Sequence, residues 1–319
     1  MLPDDVFITL ADIEAAQARI APLVRRTPVL TSEVLDQASG GRLYFKCENL
    51  QAIGAFKARG ASNAVFQLSE AAAARGVATH SSGNHGSAVA HAARARGIPA
   101  YVVMPEGVAR PKAAQVERLG ARITYCVPTI PAREAAAAAI IAETGAALIH
   151  PYDDLAVMAG QGTAALELID DVGALDLVMT PVGGGGLISG VSTAVKAKLP
   201  DARVIGVEPA GADDAARSFA AGRLIPLESA STIADGLRGS LSPATFAHIR
   251  RGVDEIVTVS EPAIVAAMRA LWEALKVVVE PSAAVPYAAI LEGKLDVRGQ
   301  RVGIILTGGN VDLDKLPWV

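Results

Sequence analysis

One lysine in an apolar stretch of small residues is the first residue that could do chemistry. Lys57 lies in the sequence Gly-Ala-Phe-Lys-Ala-Arg-Gly, residues 54–60, directly after Phe56. A lysine held in apolar surroundings has a lowered pKa and can act as a nucleophile that forms a Schiff base. For a lysine taken alone, an ordinary surface lysine at the start of a helix is the more natural interpretation.

Four consecutive glycines form a second feature. They follow an apolar run that is typical of a strand and precede a helical stretch, at residues 183–186. Glycine allows a sharp turn and a close approach of backbone N–H groups, and a helix N-terminus attracts anions. The pattern favours a phosphate site over a plain tight turn. Neither GxGxxG nor GxxxxGK[ST] is present, so a nucleotide site is the weaker form of this hypothesis.

A polar loop at residues 79–86 is the third feature. It combines hydroxyls, an amide, an imidazole and two glycines between a predicted strand and a predicted helix. Such a loop can donate several hydrogen bonds to a carboxylate. No GxSxG elbow is present, which argues against a hydrolase serine. For His85 alone, a structural role in the loop remains an equal alternative.

The fourth feature is the sequence Thr-Gly-Gly-Asn-Val-Asp at residues 307–312. It follows the apolar residues 302–306, which are typical of a buried strand. Glycines at the carboxyl end of a strand allow a ligand ring to approach closely.

These four features require a scaffold of alternating strands and helices. Short β-branched runs are predicted as strands at residues 100–104, 122–126, 177–180, 204–207, 256–259 and 302–306. Alanine-rich stretches are predicted as helices at residues 87–96, 112–119, 133–143, 163–168, 187–198, 261–275 and 282–291. This alternation predicts an α/β fold with parallel sheets that are covered on both faces.

The domain organisation is predicted from the same alternation. Residues 76–152 resemble a self-contained βαβα unit, which we expect to form a small domain. Residues 1–75 and 153–319 would then form the large domain. No fixed-period repeat or low-complexity linker is evident.

Composition excludes several classes of function. The chain has 319 residues, 51% of them hydrophobic, and a net charge of −4, so nothing in its charge favours nucleic-acid binding. Cys47 and Cys126 form no CxxC motif, which argues against a disulfide framework or a zinc knuckle. No signal peptide or membrane span is evident, so we expect a cytoplasmic protein without a membrane partner.

Taken together, the motifs resemble the fold-type II family of pyridoxal-phosphate (PLP) enzymes, in its serine/threonine dehydratase and serine racemase branch. The resemblance runs from Arg-Thr-Pro at residues 26–28 to Thr-Gly-Gly-Asn at residues 307–310. Residues 81–85, 280–286 and 308–318 are most similar to 3-hydroxyaspartate dehydratases. The resemblance implies two open, twisted, mostly parallel sheets flanked by helices, with PLP in the cleft between a large and a small lobe.

The resemblance also implies a cofactor site. Lys57 would hold PLP covalently, Phe56 and Gly236 would flank the ring, and Asn84 would bind the 3-oxygen. Thr307 would face the pyridine nitrogen, where a hydroxyl makes the ring a weaker electron sink than a carboxylate would. The phosphate would be held by Gly183, Gly184, Gly185 and Gly186.

Catalytic and substrate-binding roles follow from the same resemblance. Lys57 would be the general base, and Ser82 matches a serine that reprotonates the opposite face of Cα in racemases. Arg133 would bind a distal carboxylate, which favours 3-hydroxyaspartate, although a surface arginine is an equal alternative. The substrate α-carboxylate would be bound by Ser81, Ser82, Asn84 and His85. Tyr152 departs from the racemase pattern, which has asparagine there.

A divalent cation, Mg²⁺ or Ca²⁺, is implied at Glu208, Ala212 and Asp214. Two carboxylates and a carbonyl offer the oxygen ligands that these ions prefer. Without the resemblance, a solvated acidic turn is the more natural interpretation. The resemblance further implies a homodimer.

The predicted activity is PLP-dependent β-elimination from a β-hydroxy amino acid, converting 3-hydroxyaspartate to oxaloacetate and ammonia. The alternatives within the family are a threonine or serine dehydratase and a serine or aspartate racemase. A cysteine-synthase-like enzyme would more often carry threonine in place of His85. The presence of Lys57 argues against a non-catalytic sensor, and the glycine pattern against an NAD-dependent oxidoreductase.

Overall fold

The computed structural model describes residues 5–81, 83–108 and 110–318. Ten strands lie in this part of the chain: β1 (Val29–Leu30), β2 (Arg42–Lys46), β3 (Val77–Thr79), β4 (Ala100–Pro105), β5 (Arg122–Cys126), β6 (Ala147–Leu148), β7 (Leu177–Pro181), β8 (Arg203–Pro209), β9 (Glu255–Val259) and β10 (Arg301–Ile305). Its thirteen α-helices are α1 (Leu10–Ile20), α2 (Glu33–Ser39), α3 (Lys57–Gln67), α4 (Glu70–Ala73), α5 (Asn84–Arg96), α6 (Arg110–Arg118), α7 (Ile130–Thr144), α8 (Leu155–Val172), α9 (Gly186–Lys198), α10 (Asp214–Ala221), α11 (Pro243–Gly252), α12 (Glu261–Leu275) and α13 (Pro281–Leu291). Across the described ranges, no helix has both the length and the apolar character that crossing a bilayer requires.

The strands form two sheets. The larger sheet has six strands in the order β1-β2-β10-β7-β8-β9, and only the β1–β2 pair is antiparallel. The smaller sheet has four parallel strands in the order β5-β4-β3-β6. The predicted fold, two mostly parallel sheets flanked by helices, is confirmed.

The central strands of the larger sheet are buried on both faces. Leu177 and Met179 of β7 point into one hydrophobic cluster, whereas Val178 between them points into another. Helices α12 and α13 supply much of the first cluster, and α8 and α9 supply much of the second. Apolar side chains on both faces explain why these strands occur in the sequence as continuous apolar runs.

Helix α8 holds two other helices at close range through glycines. A Cβ atom on Gly160 would lie 2.6 Å from Cα of Gly60 in α3. On the other side, a Cβ on Gly190 of α9 would lie 2.2 Å from the Met158 carbonyl oxygen. Because α3 begins with Lys57 and α9 begins with the glycine run, this packing fixes the two motifs relative to each other.

The predicted element positions agree with the structure except at α8. A helix is predicted over residues 163–168, but α8 begins at Leu155. The Asp154 carboxylate caps it by accepting hydrogen bonds from the backbone N–H groups of Ala156 and Val157. Glycines lower helix propensity, so Gly160 and Gly162 hide the first turns of this helix from a prediction based on sequence.

Candidate active site

Lys57 is half-buried and lies beside the segment that follows β6. It is the first residue of α3, and its Nζ donates a hydrogen bond to the Pro151 carbonyl oxygen at 2.7 Å. The ammonium lies 5.1 Å from the centre of the Phe56 ring. Desolvation lowers the pKa of Lys57 to about 8. The amine is therefore held by the fold and is more easily deprotonated than that of a surface lysine.

A buried ion network anchors the start of α3. Both oxygens of the Glu48 carboxylate accept hydrogen bonds from the Arg59 guanidinium, at 2.7 and 2.8 Å. Glu167 of α8 accepts two more from the same guanidinium, at 2.7 and 2.8 Å, and forms an ion pair with Lys46 at 2.7 Å. Arg59 lies two residues after Lys57, so the network fixes the helix turn that carries the lysine.

The four glycines connect β7 to α9 and leave no room for side chains. A Cβ on Gly184 would lie 2.2 Å from the Tyr152 ring, and one on Gly183 would lie 2.9 Å from Cα of Leu237. Gly185 has φ +88°, a left-handed conformation that favours glycine. Among the described residues, the N–H groups of Gly183, Gly184 and Gly185 have no acceptor. They can therefore donate to an anion at the start of α9.

Thr307 follows β10 and faces inward. The residue is 2% exposed, and its hydroxyl has no hydrogen-bond partner in the described part of the chain. Its carbonyl oxygen accepts a hydrogen bond from the Phe56 N–H at 2.9 Å, which ties the 307–312 loop to the residue before Lys57. A buried hydroxyl without a partner is costly and indicates a missing polar group opposite it.

Asn84 and Gly236 are both tied by hydrogen bonds to the start of α13. The Asn84 amide donates to the Glu280 carboxylate at 2.9 and 3.1 Å, and its oxygen accepts from Asn310 at 2.8 Å. The N–H of Gly236 donates to the Ser282 hydroxyl at 3.1 Å. Glu280 is 5% exposed and contacts the site directly. Its role was not predicted, because a glutamate before a helix proline gives no signal of a distant partner.

The loop between β3 and α5 carries Ser81 and His85. Ser82 lies outside the described residues. Nε2 of His85 lies 3.0 Å from the Ile149 carbonyl oxygen, which requires the proton on Nε2 and leaves the buried Nδ1 without a partner. Burial lowers the pKa of His85 well below its ordinary value, and the nearby Lys57 charge adds to this. His85 is therefore neutral and offers an acceptor at Nδ1.

Arg133 lies in the first turns of α7, close enough to His80 and Tyr152 for its charge to act on both side chains. The Thr129 hydroxyl caps this helix by accepting a hydrogen bond from the Ala132 N–H at 3.3 Å. The Nε of Arg133 is buried and has no hydrogen-bond partner among the described residues. A buried guanidinium N–H without an acceptor is the donor that a carboxylate would satisfy.

Two histidines and a tyrosine lie near Arg133. The His80 and His150 rings are 5.7 Å apart, and the His150 and Tyr152 rings are 4.7 Å apart. Burial raises the pKa of Tyr152 to about 12. Tyr152 is distinguished in the sequence only as a departure from the racemase pattern. Neither histidine was assigned a role from the sequence, although His80 lies in the polar loop at residues 79–86, because the contact with His150 joins two segments that are far apart in the chain.

Glu208 and Asp214 lie together at the end of β8 and the start of α10, both almost fully buried. Glu208 accepts hydrogen bonds from the N–H groups of Ala215 and Ala216 at 3.2 and 2.8 Å. Asp214 accepts from Ser240 and Leu241 through one oxygen, and its other oxygen is buried without a partner. Burial raises the pKa of both carboxyls. No group of three or more His, Cys, Asp or Glu suited to a metal occurs among the described residues. The predicted cation site is smaller than such a group, because its ligands are two carboxylates and the Ala212 carbonyl oxygen.

The fold and the site define a class of enzyme. Residues 20–308 match the sequence model of the family described as pyridoxal-phosphate dependent enzyme, and the chain belongs to this family. This confirms the family predicted from the motifs.

The chain is similar over nearly its whole length to particular members of this family. The chain is 51% identical to β-hydroxyaspartate dehydratase of Paracoccus denitrificans, over 97% of this chain and 98% of that protein. The structure of maize serine racemase superposes with a TM-score of 0.95 at 47% identity, covering 97% of this chain and 95% of that one. The processed form of threonine deaminase isoform 2 from Solanum lycopersicum gives a TM-score of 0.90 at 30% identity, covering 99% of this chain and 91% of that one.

Proposed function

We propose that this protein is a PLP-dependent dehydratase that converts 3-hydroxyaspartate into oxaloacetate and ammonia. The observation that carries the substrate assignment is the Nε of Arg133, which is buried and has no hydrogen-bond partner among the described residues. A guanidinium in this position suits a substrate with a second carboxylate. The similarity to a β-hydroxyaspartate dehydratase supports the same assignment.

The residues around the cleft fit PLP. Among the described residues, the N–H groups of Gly183–Gly185 and the Thr307 hydroxyl have no hydrogen-bond partner; the N–H groups suit the phosphate of PLP, and the hydroxyl suits its pyridine nitrogen. When bound, PLP supplies an electron sink for the negative charge that develops at Cα of the substrate. We propose that it is held by Phe56, Lys57, Asn84, Gly183, Gly184, Gly185, Gly186, Gly236 and Thr307.

Lys57 has two proposed tasks. Its amine holds the cofactor, and after the substrate amine has replaced it, the freed amine removes the Cα proton. Desolvation favours the neutral form of this amine, which is the form that accepts a proton. The Pro151 carbonyl, 2.7 Å from Nζ, holds the amine in the cleft. The substrate loses its β-hydroxyl as water, and hydrolysis then releases ammonia and the 2-oxo acid.

The two carboxylates of the substrate have separate proposed sites. The predicted set for the α-carboxylate is Ser81, Ser82, Asn84 and His85, in the loop at the start of α5. We propose that His85 contributes by position: it is neutral and its one N–H donates to the Ile149 carbonyl oxygen, so it holds the loop in place while the other three residues bind the carboxylate. Arg133 binds the distal carboxylate.

Product analysis across related substrates tests this function. Purified holoenzyme is incubated with each of the four 3-hydroxyaspartate isomers, with threonine, and with L- and D-serine. We expect oxaloacetate and ammonia in a 1:1 ratio from some of the 3-hydroxyaspartate isomers, and slower turnover of serine and threonine. If the substrates were instead inverted at Cα and none of them released ammonia, the protein would be a racemase.

A divalent cation is proposed at Glu208, Ala212 and Asp214. Two buried carboxylates beside each other, one with an oxygen that lacks a partner, are expensive to keep charged and suit Mg²⁺ or Ca²⁺. We expect saturating cation to raise the Tm of wild type by about 5 °C. We expect no rise in Tm for Glu208→Gln. For Asp213→Asn we expect the same rise in Tm as for wild type, because the Asp213 carboxylate pairs with Arg217 and is not one of the proposed ligands. Equal rises in all three proteins would place the cation elsewhere.

The domain boundaries stay a prediction. They are supported by the position of β3, β4, β5 and β6, which all fall between residues 77 and 148. The homodimer and the cytoplasmic location also stay predictions.

A further inference from the structure

The topology of the smaller sheet brings three nitrogen-bearing side chains to one edge. Strands β3 and β6 are parallel neighbours with Ala78 opposite Leu148. His80 and His150 each lie two residues beyond this pair, so both are placed at the same edge of the sheet. Strand β5 runs in the same direction, and α7 begins four residues after it ends, which places Arg133 at this edge too.

The two imidazoles lie against each other in a defined orientation. Their ring centres are 5.7 Å apart with the planes at 74°. Nδ1 of His150 accepts hydrogen bonds from the N–H groups of Asp153 at 2.8 Å and Tyr152 at 3.3 Å. Nδ1 is therefore the acceptor, and in the neutral ring Nε2 carries the proton. His150 is positioned by the backbone and presents a donor.

Charged groups of both signs surround the pair. His80 faces Arg133 and Glu134, whereas His150 faces Lys57 and Asp153, and each imidazole faces the other and His85. No carboxylate forms an ion pair with either ring in the described part of the chain. Burial lowers the pKa of both histidines, that of His150 to about 4, and repulsion from His80 adds to the lowering at His150. Both rings are therefore neutral at pH 7 in the free enzyme.

We propose, on the basis of the dehydratase function above, that His80 and His150 join Arg133 in binding the distal carboxylate of the substrate. We further propose that one imidazole of the pair takes a proton from solvent when that carboxylate binds. The ligand class is a four-carbon dicarboxylate. The distal carboxylate would form the ion pair that neither ring makes with a residue in the described part of the chain.

The direction of the pH dependence follows from the charges. A bound carboxylate raises the pKa of a neighbouring imidazole, so dicarboxylate binding tightens as the pH falls through the raised value. The affinity stops rising once the pH is below the pKa that this imidazole has in the free enzyme. Only one proton is taken up, because two imidazolium rings 5.7 Å apart repel each other. A monocarboxylate leaves the pair neutral and shows no such dependence.

Calorimetry measures the proton directly. Holoenzyme is titrated with succinate, which has two carboxylates and no reactive amine, in buffers of different ionisation enthalpy. Butyrate is the control with one carboxylate. Near pH 6 we expect uptake of about half a proton per succinate, and near pH 8.5 almost none. Butyrate is expected to bind without proton uptake at either pH.

Three variants locate the proton. The double variant His80→Gln/His150→Gln is expected to abolish proton uptake. The single variant His80→Gln removes no hydrogen bond to another described residue, and it is expected to reduce proton uptake. His91→Gln in α5, outside the site, is expected to match wild type. Failure of succinate to bind, or equal uptake in the double variant and wild type, would overturn the proposal. Because succinate is not turned over, proton uptake without hydroxyaspartate turnover would refute the dehydratase function alone.

Discussion

Replacement of Lys57 by alanine is expected to reduce dehydratase turnover by about 10⁴-fold or more. The substitution removes the amine that holds PLP and that accepts the Cα proton. The purified variant is also expected to lose the absorbance near 410 nm that is typical of lysine-bound PLP. Turnover is measured as 2-oxo acid release, and bound cofactor by its absorption spectrum.

Two controls separate chemistry from folding. Lys198→Ala removes an exposed lysine that pairs with Glu14, and we expect wild-type turnover and colour. Lys57→Arg keeps a positive charge in the cleft but cannot form the bond to PLP, so we expect it to be as inactive as the alanine variant. An active and yellow Lys57→Ala protein would show that another residue performs these steps.

Replacement of Arg133 by methionine is expected to change substrate preference more than overall activity. Methionine retains much of the apolar stem but removes the guanidinium that has no protein partner at its Nε. Loss of one member of a buried charge pair costs several kcal/mol, so we expect kcat/KM for 3-hydroxyaspartate to fall about 100-fold. For serine, which has no distal carboxylate, we expect a change of less than about threefold.

Conservative and distant variants test the specificity of this effect. Arg133→Lys is expected to recover part of the lost preference, since lysine restores the charge but not the planar fork. Arg122→Met on β5, where the guanidinium lies over the Tyr101 ring, is expected to behave as wild type. Equal losses for 3-hydroxyaspartate and serine in Arg133→Met would exclude the role in distal carboxylate binding.

The sequence was sufficient to predict those features whose signal is local. The parallel fold follows from apolar runs that alternate with alanine-rich stretches, and both sheets are present. The glycine run carries its own signal, because four adjacent glycines between a predicted strand and a predicted helix favour an anion site by residue type alone. Lys57 has no such signal by itself, because a lone lysine is more naturally a surface residue. Their placement in one cleft could be expected only from the resemblance of the whole chain to a family.

Features made by contacts between distant residues were not predictable in this way. The His80–His150 contact joins residues 70 positions apart, and it depends on the register between β3 and β6. Arg59 has the sequence context of a solvent-exposed helix residue, yet it is fully buried between Glu48 and Glu167. Each of these side chains is ordinary in sequence and acquires its role only from its partners.

The central claim is that this cleft selects a β-hydroxy amino acid with a second carboxylate. The most direct test is a competition in which holoenzyme meets equal concentrations of 3-hydroxyaspartate and L-serine. Malate and lactate dehydrogenases trap the two products at once, and the malate-to-lactate ratio gives the ratio of kcat/KM values. We predict a malate excess of about 100-fold in wild type that collapses in Arg133→Met. A lactate excess in wild type would contradict the account.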